Sequence, residues 1–257
     1  MEILHPRCGG LDVHKDTVVA CARIASDGTA KQHVETFSTT TSGLLALSDW
    51  LSTFEITHVA MEATGVYWKP VWHILEGSFE LILANAMHIK NVPGRKTDVN
   101  DAMWIADLLA HGLIRGSFVP PGSVQELRSL TRTRKQLVRE KAQHIQRIQK
   151  TLEDANIKIA SVASDIMGTS GRAILEALVA GEVDPEKLVD VTRGRLKASR
   201  AAIVESLRGH VTKNHRFLLK LHFDQIKSLD EAIDSVETEV GSVLEPFRAA
   251  ATLLTSM

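Results

Sequence analysis

Up to about residue 90, two hydrophobic periods alternate along the chain. The runs GLDVH and TVVACARI are rich in β-branched residues and are joined by the polar pair Lys15-Asp16, which reads as a hairpin. SDGT marks a turn, and KQHVETFS alternates as a third strand. TSGLLALSDWLSTF then switches to helical spacing at Leu44, Leu47 and Leu51. ITHVAME reads as a buried strand, VYWKPVWHILEG as a helix with Pro70 near its first turn, and FELILAN as a fifth strand. Three hairpin-linked strands followed by strand–helix alternation predict an α/β fold, a mixed five-stranded sheet flanked by helices.

The pattern changes at SFVPPGS, a Pro/Gly break that divides the chain into an expected 1–120 and 121–257. Ser123 opens SVQE, a Ser-x-x-Glu capping signature, so a long helix is predicted to about Ala155. Leu127, Leu130, Leu137, Ile145, Ile148 and Leu152 keep its helical spacing. Shorter helices are expected over 156–210, with a break at GEVDPEK, and a second long helix over roughly 215–244. There Leu229, Ile233, Val236, Val240 and Val243 step by four, three, four and three, as in a coiled coil. A helical hairpin, a dimer arm and an ordinary core stripe all fit that spacing.

The 257 residues carry a net charge of only −1, but the charge is unevenly spread. From Arg128 to Lys150 eight bases, Arg128, Arg132, Arg134, Lys135, Arg139, Lys141, Arg147 and Lys150, stand against a single acid, Glu140. So few local acids make pairing within the helix a poor explanation and phosphate contact a better one. Cys8 and Cys21 form neither a disulfide framework nor a zinc pattern and are expected to be small buried residues. The N-terminus has no signal-peptide pattern and no apolar run is long enough for a bilayer, so a soluble, cytoplasmic chain without a membrane partner is expected.

Candidate chemistry begins with GRKTDVNDAMWIADLL, where a helix is expected with Thr97 as its cap. At about 100° per residue, Asp98 and Asp101 share an arc with Ile105, Leu108 and Leu109, while Asp107 points the other way, toward solvent. Ordinary first-turn acids would complement the helix dipole from the solvent side. Carboxylates at the end of an apolar stripe instead call for a compensating charge, and a divalent cation supplies it. Asp12 sits mid-strand between Leu11 and Val13, where aspartate is disfavoured, and Glu62 ends the strand before ATG. Four converging carboxylates suit hard cations held about 4 Å apart for phosphodiester chemistry, with Mg²⁺ preferred and Mn²⁺ as its substitute. The eleven histidines show no zinc spacing.

A strand Asp, a strand-end Glu and a following Asp-x-x-Asp resemble the RuvC-like branch of the RNase H fold. The words GLDVHKDTVVA, MEATGVYWKPVWHIL, GRKTDVNDAMWIADLLAHGLIRGSFVPP and LRSLTRTRKQLVREK are similar, in order, to the DEDD insertion-sequence recombinases guided by a bridge RNA, relatives of pilin-gene invertases. The likeness covers about residues 8–155. It implies a tetrad of Asp12, Glu62, Asp98 and Asp101 holding Mg²⁺. It also implies a coiled-coil region, a C-terminal domain with a serine nucleophile, and dimers that pair into tetramers. Its partners are a structured RNA and donor and target DNA, with base pairing reading the sequence. No serine present is assignable as that nucleophile, because the expected Pro-Gly-x-Gly segment does not follow FRAAATLLTSM; full recombination by this chain alone is therefore not expected.

Lys90, Arg95 and Lys96 flank the acidic site and are candidates to hold a backbone phosphate, with Arg128, Arg132, Arg134, Lys135, Arg139 and Lys141 as further nucleic-acid contacts. Lys15 is more simply a hairpin-turn residue. Tyr67, Trp68 and Trp72 fit helix packing better than base stacking. Three other functions remain open: a stand-alone RuvC-like nuclease acting on branched DNA, a non-catalytic RNA-binding scaffold, and an actin-like sugar kinase or ATPase. The last lacks the glycine-rich phosphate turn beside Asp12.

Overall fold

The computed structural model describes residues 2–26, 29–90, 100–163, 165–192 and 198–248. Contacts divide the chain into two compact units, Met1–Val119 and Pro120–Met257.

The first unit is built on five strands: β1 (Arg7–Val13), β2 (Thr17–Ser26), β3 (Thr29–Ser38), β4 (His58–Glu62) and β5 (Glu80–Ala84). They lie in the order β3-β2-β1-β4-β5. β1, β2 and β3 pair antiparallel, while β4 joins β1 and β5 joins β4 in parallel. This mixed five-stranded sheet with helices on it is the arrangement expected from the strand pattern. Helix α1 (Thr41–Thr53) buries Leu44, Leu47 and Leu51 and is capped by the Thr40 hydroxyl, which accepts from the Gly43 amide at 3.2 Å. Helix α2 (Trp68–Leu75) carries Pro70 in its first turn. Both pack on the sheet face that holds Leu11, Val13, Val59 and Met61. Trp68 and Trp72 meet each other edge to face and pack against that core, whereas Tyr67 stays exposed.

The opposite face receives α4 (Asp101–Ala110), which follows the short α3 (Ala86–Lys90). Gly10 makes this possible. A Cβ there would fall on the Ala102 carbonyl oxygen and the Ala106 amide nitrogen, and lie 3.0 Å from the Ala106 Cα. Only a strand residue without a side chain lets the helix come this close.

In the second unit, α5 (Gly122–Asp154) and α9 (Lys213–Leu244) are 33 and 32 residues long. They pack antiparallel, as the pairs Arg134–Glu237, Lys141–Asp230 and Asp154–His215 require. The heptad-like stripe of α9 therefore lies on a helix paired within its own chain, with Ile233 buried and Leu229, Val236, Val240 and Val243 half-buried. Helices α6 (Thr169–Ala180), α7 (Pro185–Asp190) and α8 (Arg200–Ser206) close a core around Ile148, Leu152, Ile174, Leu178 and Leu219. The break at GEVDPEK is real: Gly181 ends α6 in the left-handed region (φ 106°), and the Asp184 side chain caps α7. The capping box expected at Ser123 does not form. α5 starts at Gly122 behind Pro121, with no side-chain cap, and Gln125 donates to the Pro120 carbonyl at 2.9 Å instead.

Candidate functional site

The parallel register of β1 and β4 runs Cys8–His58, Gly9–Val59, Gly10–Ala60 and Leu11–Met61. Asp12 and Glu62 are the next residue on each strand. They sit side by side at the same end of the sheet, where adjacent strands are about 4.8 Å apart. Alternation fixes their face. Leu11 and Met61 point into the core under α1 and α2, so Asp12 and Glu62 point to the α4 side. Their cross-strand neighbours agree. Asp12 opposes Val19, which packs with Ala102 and Ala106 of α4, and Glu62 pairs with Ala84, which packs with Ile105, Leu108 and Leu109.

Helix α4 runs antiparallel to β1. Its middle lies over Cys8, whose thiol donates to the Ala106 carbonyl at 3.4 Å, and its first turn lies over Gly10. Asp101 is thus carried toward the end of the sheet that holds Asp12 and Glu62. It is half-buried and is the first helical residue, behind Asn100, whose side chain accepts from the Ala102 amide at 2.9 Å. The cap is Asn100 and not the expected Thr97, which lies outside the described residues, as does Asp98. The shared helical arc holds for Asp101, Ile105 and Leu108.

Two partners escaped the sequence reading. His14 Nε2 lies 3.1 Å from Asp12 Oδ2; two residues apart on an extended chain, they point the same way, and that was the available signal. Asp107, expected to face solvent, is bonded at 3.1 Å by the guanidinium of Arg23, a β2 residue only 4% exposed. Asp107 is therefore tied to the sheet.

Among the described residues, no three His, Cys, Asp or Glu side chains form a ready metal-ligand group. The sequence-predicted donors at this end of the sheet are nonetheless carboxylates, with the His14 imidazole beside Asp12. The carboxylates suit Mg²⁺ or Mn²⁺ and not a softer ion. Asp12 and Glu62 are their adjacent core, Asp101 approaches from the helix, and the fourth acid is outside the description. Arg95, Lys96 and the side chain of Lys90 are outside it too.

The basic helix is resolved into two sides. Arg134 donates to Glu237 at 2.7 Å and Lys141 pairs with Asp230, so these two cations hold α9, contrary to the expectation that intramolecular acids were too few. Arg128, Arg132, Lys135 and Arg139 are exposed and have no acid partner among the described residues. Spaced by four, three and four, they fall within an arc of about 60° on the side of α5 turned away from α9. They span about 16 Å of helix at 1.5 Å per residue. No helix among the described residues is long and apolar enough to cross a membrane.

No curated protein matches the chain. Solved structures with some similarity include RuvC of Thermus thermophilus, at 14% identity over 43% of this chain and 99% of that one, with a TM-score of 0.33. Another is the Fowlpox virus resolvase in complex with Holliday junction DNA, at 14% identity over 35% of this chain and 65% of that one, with a TM-score of 0.27. The decisive match is to a family profile. Residues 9–157, more than half of the chain and including Asp12, Glu62, Asp98 and Asp101, fit the family described as transposase, DEDD type, of IS110, and the chain belongs to that family.

Proposed function

We propose that the chain acts in DNA transposition and site-specific recombination of an insertion sequence, with Asp12, Glu62, Asp98 and Asp101 as the metal-binding acids. The observation that carries this is the adjacency of Asp12 and Glu62 at the ends of two paired central strands, on the face crossed by α4. Mg²⁺ bound there would activate a nucleophile and stabilise the leaving oxygen during phosphodiester exchange. The chain's own groups hold and orient. Asp12 and Glu62 are anchored by strand pairing, so their carboxylates would hold the cation from a rigid base. His14 Nε2 lies within hydrogen-bond distance of the Asp12 carboxylate and orients it. Asp101 moves with α4, whose height over the sheet is set by Gly10.

On this reading the two halves divide the labour, 1–120 for the acidic site and 121–257 for gripping nucleic acid. Arg128, Arg132, Lys135 and Arg139 hold a phosphate backbone along α5, and Lys90, Arg95 and Lys96 hold one beside the acids. The family likeness extends the proposal to a guiding RNA that reads donor and target DNA, a serine nucleophile from a C-terminal domain, and assembly of dimers into tetramers. The test is calorimetric titration with Mn²⁺ and Mg²⁺-dependent nicking of DNA in the presence of the RNA. Asp12→Asn, Glu62→Gln, Asp98→Asn and Asp101→Asn should each weaken Mn²⁺ binding and abolish nicking while leaving RNA retention intact. Unchanged Mn²⁺ binding in the Asp12→Asn and Glu62→Gln variants would refute the assignment.

A further inference from the structure

The seam between α5 and α9 holds a second cluster of titratable groups, far in sequence from the strand-end acids. A cavity of about 560 Å³ opens there, within the range of small-molecule sites. Arg147, Lys150 and Thr151 wall it from α5, and His215, Leu218 and His222 from α9. The two acids on its lining are already engaged. Asp154 accepts from His215 Nε2 at 2.9 Å, and Glu153 pairs with Lys158. The tautomer of His215 is set by its other nitrogen, which accepts the Thr212 amide at 3.2 Å, so Nε2 carries the proton. Arg147 and Lys150 are both exposed and have no acid partner among the described residues. His222 meets His144 at 3.2 Å between their Nδ1 atoms, with the rings edge to face.

The lining therefore combines two cations without an ion-pair partner among the described residues, Arg147 and Lys150, the imidazoles of His215 and His222, and two carboxylates held by His215 and Lys158. Arg147 beside those imidazoles disfavours a bound cation and favours an anion. We propose that this cavity binds a phosphate group, held by the Arg147 guanidinium, the Lys150 ammonium and the His222 ring. Arg and Lys give charge-assisted bonds to phosphate oxygens, the Arg in bidentate fashion. The cavity is much larger than one phosphate, which fits a phosphate carried on a nucleotide chain.

The titratable and charged groups around His222 are His144, Arg147, Lys150, Glu153 and Asp154 from α5 and His215 from its own helix. Burial, then the charges of His144 and Arg147, hold the His222 imidazole below its ordinary range. The negative charge of a bound phosphate opposes the charges of His144 and Arg147 and favours the imidazolium, so His222 should titrate higher in the complex and binding should tighten as pH falls.

The test follows the His222 ring signals by NMR across pH, with inorganic phosphate in one arm and a twelve-nucleotide oligothymidylate lacking terminal phosphates in the other. EDTA is present throughout, so failure of the carboxylate site cannot affect the result. An upward shift of the His222 titration in the oligonucleotide arm alone identifies a backbone phosphate; a shift in the inorganic phosphate arm identifies a free phosphate as a sufficient ligand. Arg147→Gln combined with Lys150→Gln, both surface changes, should cut affinity at least tenfold and remove the shift while circular dichroism stays unchanged. No shift in either arm, or a shift undiminished in the double variant, overturns the proposal.

Discussion

Replacing Gly10 by alanine should damage the first unit far more than the same change one residue earlier. At Gly9 the new methyl would meet only the tips of Leu51 and Val59, at 3.3 and 3.4 Å, and both side chains can yield by a few tenths of an ångström. At Gly10 it would meet backbone: the Ala102 carbonyl, the Ala106 amide and the Ala106 Cα. Ordinary carbon contacts need about 3.5 Å, so α4 must lift by roughly 1 Å. Overpacking of this kind costs about 1–3 kcal/mol, and with no rotamer to relieve it the upper end applies. The conformational gain of alanine over glycine returns about 0.5–1 kcal/mol, leaving a net loss of roughly 2 kcal/mol. At about 2–4 °C per kcal/mol for a protein of this size, the melting point should drop by roughly 4–8 °C. All four tryptophans, Trp50, Trp68, Trp72 and Trp104, lie in the first unit, so tryptophan fluorescence in urea isolates it from the helical half. A 1 Å displacement of Asp101 should also lower nicking by up to about 100-fold. Equal urea midpoints for Gly9→Ala and Gly10→Ala would refute the close approach of α4 and, with it, the delivery of Asp101 to the strand ends.

Three further outcomes are expected. Exchanging both Arg132 and Arg139 for alanine should reduce the slope of log affinity for duplex DNA against log salt by about 2, whereas Arg134→Ala, which breaks the Glu237 pair instead, should leave the slope unchanged. Burial alone would raise the Asp230 carboxyl, but the hydrogen bonds and charges of Lys141 and Arg172 together hold it below its usual range of about 3.8. A depressed carboxyl stabilises the fold above its unfolded pKa and stops doing so as pH falls through the folded one. The melting-point gap between the native chain and Asp230→Asn should therefore be full at pH 6 and shrink below about pH 3.8; a gap independent of pH would count against the pairing. Burial, more than any neighbouring charge, pushes the Cys8 thiol up to about 11 and the Cys21 thiol up to about 12, so at pH 8 only about one Cys8 thiol in a thousand is ionised. A thiol reagent should find neither cysteine in the native protein and both in 6 M guanidinium, and a fast native reaction would contradict their burial.

What could be read from the sequence follows a physical rule. The strands and the α1 stripe of Leu44, Leu47 and Leu51 were visible because burial on one face imposes a period, and the observed elements keep it. The start of α4 was not. Thr97 and Asn100 are both good caps, and the choice rests on which start lets Ala102 rest on Gly10, a contact between residues more than ninety positions apart. Ser123 failed for a local reason, since α5 starts at Gly122, behind Pro121 and one residue before the Ser-x-x-Glu word.

The same rule separates the acids from the bases. An aspartate on a sheet face that a helix must cover costs free energy, so Asp12 was conspicuous in GLDVH before any partner was known. Asp107 escaped because a helical wheel assumes one buried side, whereas α4 spans β2, β1 and β4 and is covered over a wide arc that includes the buried Arg23. A surface lysine or arginine costs almost nothing wherever it stands, so its type betrays no role. Arg134 and Lys141 looked the same as Arg132 and Arg139 in the sequence, and only the acids Glu237 and Asp230, about ninety to a hundred residues further on, tell them apart. Function carried by groups that strain their surroundings is therefore readable from a single sequence. Function carried by cheap surface charge becomes readable only once the fold has shown which charges are already taken.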